Sequence, residues 1–157
     1  MNGLIIGTAI ACAAMSGVFF AFSSFVMRAL ARMPPAQGIA AMQSINVVAV
    51  TPVFMTALFG TAVAGVAVAA FAVIQWRGVA SAYLLGGSLS YLIGTIVVTI
   101  ACNVPLNNAL AAVKPASGAA ASFWLEYVRQ WTAWNHVRTV SGLVAAALLL
   151  KGAIISW

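Results

Sequence analysis

Three runs without a single Asp, Glu, Lys or Arg, at Gly3–Met27, Val47–Ile74 and Ala80–Cys102, constrain this chain more than any other feature. A hydrocarbon core of about 30 Å takes about 20 mostly apolar residues in helix, so each run reads as a membrane span, and a fourth ends near Ile155. Charged residues are 5% of the chain, far below the roughly one quarter that a water-facing surface uses. None of the runs shows the alternation over about ten residues that barrel strands require. The expectation is an all-α transmembrane four-helix bundle, one domain over residues 1–157 with spans at about 3–27, 47–74, 80–102 and 123–155. The first run lacks the basic start, the short apolar core and the small-residue cleavage site of a signal peptide, and is expected to stay in the mature protein.

Punctuation along the chain refines this picture. Gly3, Gly7 and Ala11 form a small-residue step, as do Gly86, Ser90 and Gly94, and either stripe serves packing within one chain or a homo-oligomer face. Phe19, Phe22 and Phe25 cannot share one narrow stripe at about 100° per residue, so at least one faces lipid. Pro35 suits the first position of a helix, and the segment after it reads as an interfacial approach to the second span. Pro52 is expected inside that span, bending it, and Pro105 is expected to end the third. Only QWRG separates spans two and three, which makes them antiparallel neighbours. Basic residues favour loops 28–46 and 103–123 on the cytoplasmic side, with both termini outside. The formal charge of +6 is scattered, so anionic lipid headgroups and the bilayer are expected partners and nucleic acid is not.

One stretch stands apart. Between Trp124 and Thr139 lie the only acid, Glu126, the only histidine, His136, two arginines and three of the five tryptophans. On a helical wheel Trp124, Tyr127, Trp131, Trp134, Asn135, Arg138 and Gly142 share one face, and Glu126, Arg129 and His136 lie on the other. An interfacial aromatic belt accounts for Trp124, Tyr127 and Arg129, and Glu126 with Arg129 is an ordinary helix ion pair. Arg138 needs more. An apolar run follows it, an unpaired guanidinium there costs several kcal/mol, and Glu126 is about 18 Å away along the same helix. Neutral acceptors must hold it, chiefly Asn side chains and backbone carbonyls where the third span ends. Asn103, Asn107, Asn135 and Asn46 can reach that level, so with Arg138, His136, Trp131 and Trp134 the stretch forms a wall of a polar, aromatic cavity. A purely structural cap made of the same groups is the alternative.

The runs MPPAQGIAAMQSIN and NVPLNNAL and the stretch WNHVRT resemble the anthrone oxygenase-like family of small four-span membrane proteins, most of them without an assigned function. The resemblance follows the chain in order over nearly its whole length. At two positions the chain departs from it: Arg28 stands where a proline commonly follows, and Thr51 where an Asn often precedes the helix-2 proline. The resemblance implies a membrane oxygenase acting on a hydrophobic, aromatic, enolisable small molecule, with molecular oxygen as co-substrate and no metal or flavin. Such chemistry needs a base, donors for an enolate oxygen and a flat apolar slot. His136, Arg138, Asn103 and Asn107 would be the catalytic groups, and Trp131, Trp134, Asn135 and Asn46 the substrate-binding ones. A haem on His136 is a weaker alternative, because a lone histidine is more often structural. From a different class comes a non-enzymatic bundle: a lipid-binding module, complex subunit or assembly factor whose polar cap docks a partner.

Overall fold

The computed structural model describes residues 1–117 and 119–155, and these are helical apart from short turns. Five helices follow in order: α1 (Asn2–Ala31), α2 (Pro35–Val48), α3 (Pro52–Ile74), α4 (Val79–Ala111) and α5 (Ala120–Ile155). All but α2 are long and apolar enough to cross a membrane. The chain is therefore an integral, multi-pass membrane protein built as a four-helix bundle, with α2 as an added short helix at one end.

Proline placement differs from expectation in two places. Pro52 does not bend a span; it starts one, at a position whose missing N–H costs nothing, and the Thr51 hydroxyl caps the helix by accepting from Phe54 N at 3.2 Å. The second span thus begins at Pro52, and residues 49–51 separate it from α2. Pro105 does not end the third span. Two π-helical turns, Leu92–Val97 and Thr99–Asn103, precede it, and helix resumes at Val104 and runs to Ala111. The wider register leaves Pro105 in a first turn, where no i−4 donor is required.

Central to the bundle is α5, which packs along α1 on one side and α4 on the other. Small residues make both contacts close. Ser90 Oγ donates to Ser141 O at 2.9 Å, and a Cβ on Gly142 would lie 3.0 Å from Ser16 Cβ. The Gly86, Ser90 and Gly94 stripe thus faces α5 of the same chain. Gly3 and Gly7 differ, with no atom within 4 Å of where a Cβ would stand. The tightest point is Gly94, where a Cβ would come 2.3 Å from Ser141 Cβ. Both atoms are fixed to backbone, so Gly94→Ala must separate α4 from α5. Overpacking of this kind costs about 1–3 kcal/mol. Thermal unfolding in detergent should show a lowered Tm for Gly94→Ala, partial recovery on adding Ser141→Gly, and no change for Gly3→Ala.

Unbroken across Arg129–Val137, α5 spans 36 residues, about 54 Å, and overshoots the hydrocarbon by about 24 Å. Counting about 20 residues back from Ile155 puts the hydrocarbon boundary near Asn135. The overhanging end is covered by α2, whose Gly38 lets the Trp124 indole lie against backbone; a Cβ there would meet the ring at 2.8 Å. Ile39, Met42, Leu110, Tyr127 and Trp131 pack into the same cluster. A second cluster, including Cys12, Leu58, Tyr91 and Leu149, fills the opposite half of the bundle, where Tyr91 Oη donates to Leu58 O at 3.1 Å.

Candidate functional site: a cavity around Arg138

Between the two clusters the bundle is not filled. A cavity of about 230 Å³ opens there, lined by Phe19 and Phe22 of α1, Asn46 of α2, Phe54 and Leu58 of α3, Thr99 and Asn107 of α4, and Trp131 and Arg138 of α5. An enclosed apolar cavity of about 150 Å³ already takes benzene, so a flat ring system larger than one ring fits. The space exists because α3 packs on the first half of α4, while the end of α4 packs on α2 and α5 instead. Its rim is apolar and lateral: Val18, Val50, Phe59, Ile100 and Val104 line the cavity and are also exposed on the flank of the bundle. An amide-bearing groove with Gln43 and Asn108 shares Asn46, Val50, Val104 and Asn107 with the cavity and continues it toward the end of the bundle.

Arg138 is 5% exposed. Its Nη2 donates to Asn135 Oδ1 at 2.7 Å and its Nη1 to Thr99 Oγ1 at 3.4 Å. The guanidinium carbon sits 4.4 Å from the Phe19 ring centre and 5.0 Å from that of Trp131, so two π faces share the stabilisation of its charge. Its Nε is buried with no acceptor among the described residues. Glu126 is not a partner: Arg129 holds it through bonds of 3.0 and 2.5 Å, and Gln130 binds it as well. Neutral acceptors do hold Arg138, but they are Asn135 on its own helix and a threonine hydroxyl, rather than the asparagines of α4 or backbone carbonyls. The difference has a simple cause. Asn107 Oδ1 is taken by Trp131 and Tyr127, and Asn103, whose Oδ1 has no partner among the described residues, does not line the cavity.

Asn107 Oδ1 accepts from Trp131 Nε1 at 2.8 Å and from Tyr127 Oη at 3.0 Å, which fixes the Trp131 indole plane as a cavity wall. Asn103, 1% exposed, donates to Trp131 O at 3.2 Å and lies behind that wall. Asn135, fully buried, donates to Phe19 O and Ser23 Oγ, each at 2.7 Å, tying α1 to α5 just where Arg138 needs its acceptor. Asn46 lines the cavity and keeps its Nδ2 unpaired. The two buried nitrogens without acceptors that line the cavity, Arg138 Nε and Asn46 Nδ2, are both donors.

Neither Asn103 nor Asn135 lines the cavity, and two further expected members lie elsewhere. Trp134 is 41% exposed and does not line the cavity; it sits about 60° around the helix from Trp131, past the edge of the buried stripe. His136 is exposed and lines a separate groove with Arg28. The cavity therefore has no histidine to act as base. Phe19, Phe22, Phe54 and Thr99, by contrast, were not expected there. The Phe-rich end of α1 was visible as a sequence feature, but nothing marked Thr99. Among the described residues no three His, Cys, Asp or Glu side chains come together.

The family model described as anthrone oxygenase matches residues 52–148, more than half of the chain. The chain belongs to the anthrone oxygenase family. No curated protein and no solved structure matches it. The part matched to the anthrone oxygenase family contains Phe54, Thr99, Asn107, Trp131 and Arg138, while Phe19, Phe22 and Asn46 reach the same cavity from α1 and α2, outside the match.

Proposed function

We propose that the protein is a membrane oxygenase that draws a flat, hydrophobic aromatic ketone with an acidic methylene, of the anthrone type, into the cavity and adds molecular oxygen to its enolate. One observation carries the reading: a buried, permanently charged Arg138 stands without a counter-ion at the wall of an aromatic cavity, with a free N–H. A group of this kind lowers the energy of an oxyanion that forms beside it, because the donor is already oriented and water is scarce. Family membership supports the choice of substrate.

The chemistry balances without a further reductant. Loss of one methylene proton leaves an enolate whose oxygen faces Arg138 and Asn46. Its carbon forms a bond to one atom of O2, the electrons coming from the enolate, and protonation gives a hydroperoxide. Cleavage of the O–O bond with loss of the second methylene proton releases water and leaves a carbonyl, so CH2 and O2 become C=O and H2O. No His, Asp, Glu or Lys lines the cavity, so the field of Arg138 does the work by making the ketone more acidic, and water entering by the amide-bearing groove takes the proton.

Oxygen uptake by the purified protein with a panel of anthrones is the test, with quinone formation followed by absorbance. Uptake well above that of heat-denatured protein is expected. Asn103 and Asn107 favour a second reading, because their bonds go to α5 and suit a structural cap. Stable binding of an anthrone with no uptake above background would select a non-enzymatic binding module instead.

A further inference from the structure

A second groove, of about 320 Å³, runs between α1 and α5 and is lined by Ser23, Arg28, Val128, Arg129, Thr132 and His136 among others. It shares no residue with the cavity around Arg138. We propose that it binds the phosphodiester headgroup of an anionic phospholipid, a role independent of the oxygenase reading.

Three observations converge on this. First, the groove keeps one unneutralised cation: the only acid in the sequence, Glu126, is held by Arg129 and Gln130, which offsets the charge of Arg129 and leaves Arg28 no carboxylate side chain to pair with. Second, the groove holds a polar orphan. Thr132 Oγ1 is buried and has no hydrogen-bond partner among the described residues, and Arg28 and His136 line the same groove. A phosphate oxygen would accept from Thr132 and Arg28 together, and the His136 ring keeps an N–H to offer in either protonation state. Third, the depth is right. The groove spans Val128 to His136 on α5 and ends at Ala31 on α1, which brackets the hydrocarbon boundary placed near Asn135 by counting about 20 residues back from Ile155.

The walls decide between a lipid and a free anion. Met27, Ala31, Val128 and Ala133 make part of the groove apolar, which suits the glycerol and first methylenes of an acyl chain and gives nothing to inorganic phosphate. Basic pockets between membrane helices at headgroup depth take anionic lipids for this combination of reasons.

Native mass spectrometry of the purified chain in detergent, with phosphatidylglycerol and phosphatidylcholine offered in equal amounts, measures the preference directly. Wild type should retain phosphatidylglycerol in preference. Arg28→Gln should cut that preference about five-fold, the worth of one basic residue at an anionic surface. Arg28→Lys should largely restore it, and Arg77→Gln, at the other end of the bundle, should leave it unchanged. Thr132→Val should also lower it, and carries the same comparison should Arg28→Gln not fold, as judged by its Tm without lipid. Equal retention of the two lipids by wild type, or a loss in Arg77→Gln as large as in Arg28→Gln, would overturn the site. A rise in Tm with inorganic phosphate alone as large as that with phosphatidylglycerol would overturn its assignment to a lipid.

Discussion

Arg138→Gln is expected to lower kcat for anthrone oxygenation by about 100- to 1000-fold, the usual loss when a preorganised donor to a developing oxyanion is removed. Glutamine ends at the level of the Arg138 Nε, short of the Asn135 and Thr99 oxygens, so the field disappears, and the Tm of the variant checks that the cavity survives. Affinity for an anionic analogue, such as a fused-ring phenolate, should fall with it, and affinity for the neutral quinone should hardly move. Arg138→Lys separates charge from shape. It keeps a cation but cannot lie flat between the Phe19 and Trp131 rings, so a loss intermediate between wild type and glutamine is expected. Steady-state oxygen uptake with both variants checks this. Unchanged kcat in Arg138→Gln would end the proposal that this group stabilises the enolate.

The second large effect is on stability, at Asn135. Its two bonds to α1 are neutral and in a bilayer average about 0.6 kcal/mol each. The bond it accepts from Arg138 is charge-assisted, worth about 1.5–3 kcal/mol, and its loss strands a buried cation. Asn135→Leu should therefore destabilise by about 3 kcal/mol, dominated by the one bond to the guanidinium, and should lower activity because Arg138 loses its fixed position. Asn135→Asp gives the contrasting result. A carboxylate there loses the donated bond to the Phe19 carbonyl but gains an ion pair with Arg138 and cancels its charge, so the variant should be destabilised less than Asn135→Leu and lose its affinity for an anionic ligand. Chemical denaturation in mixed micelles, run beside oxygen uptake, distinguishes the two variants. An Asn135→Leu protein as stable as wild type would show that Thr99 and the two rings suffice to hold Arg138.

Much of the fold was legible because hydrocarbon imposes a length and a polarity that few sequences meet by chance. The four spans, the short antiparallel link through Arg77 and the unbroken α5 follow from those two quantities. Boundaries were harder, since Pro52 and Pro105 are equally compatible with a helix interior, a first turn or a stop. Which one holds depends on the register of the residues before them, and the π-helical turns of α4 carry no compositional mark. The site shows the same division. Arg138 announced itself through cost: a permanent charge in an apolar run, with the only acid out of reach. Its acceptors could not be read in the same way, because which asparagine is free depends on which indole and phenol have already bound the others. Trp131 and Tyr127 claim Asn107, Asn103 keeps its unpaired Oδ1 away from the cavity, and Asn135 and Thr99 take the guanidinium. Trp134 sits on the edge of a face that the wheel defines only to within a residue, whereas His136 lies about 140° from Trp131, on the face that the wheel already sets apart.

The lateral rim of the cavity, made by Val18, Val50, Phe59, Ile100 and Val104, changes what a substrate concentration means for this protein. A ligand that reaches the cavity through that rim is drawn from the bilayer, so the quantity that sets occupancy is its mole fraction among lipids rather than its molarity in the buffer. In detergent the same dilution applies: adding micelles at fixed substrate spreads the ligand over more hydrophobic volume and empties the cavity, although nothing has been added to compete. On the oxygenase reading an apparent KM would thus be a surface quantity, comparable between preparations only when substrate is counted per lipid or per detergent molecule.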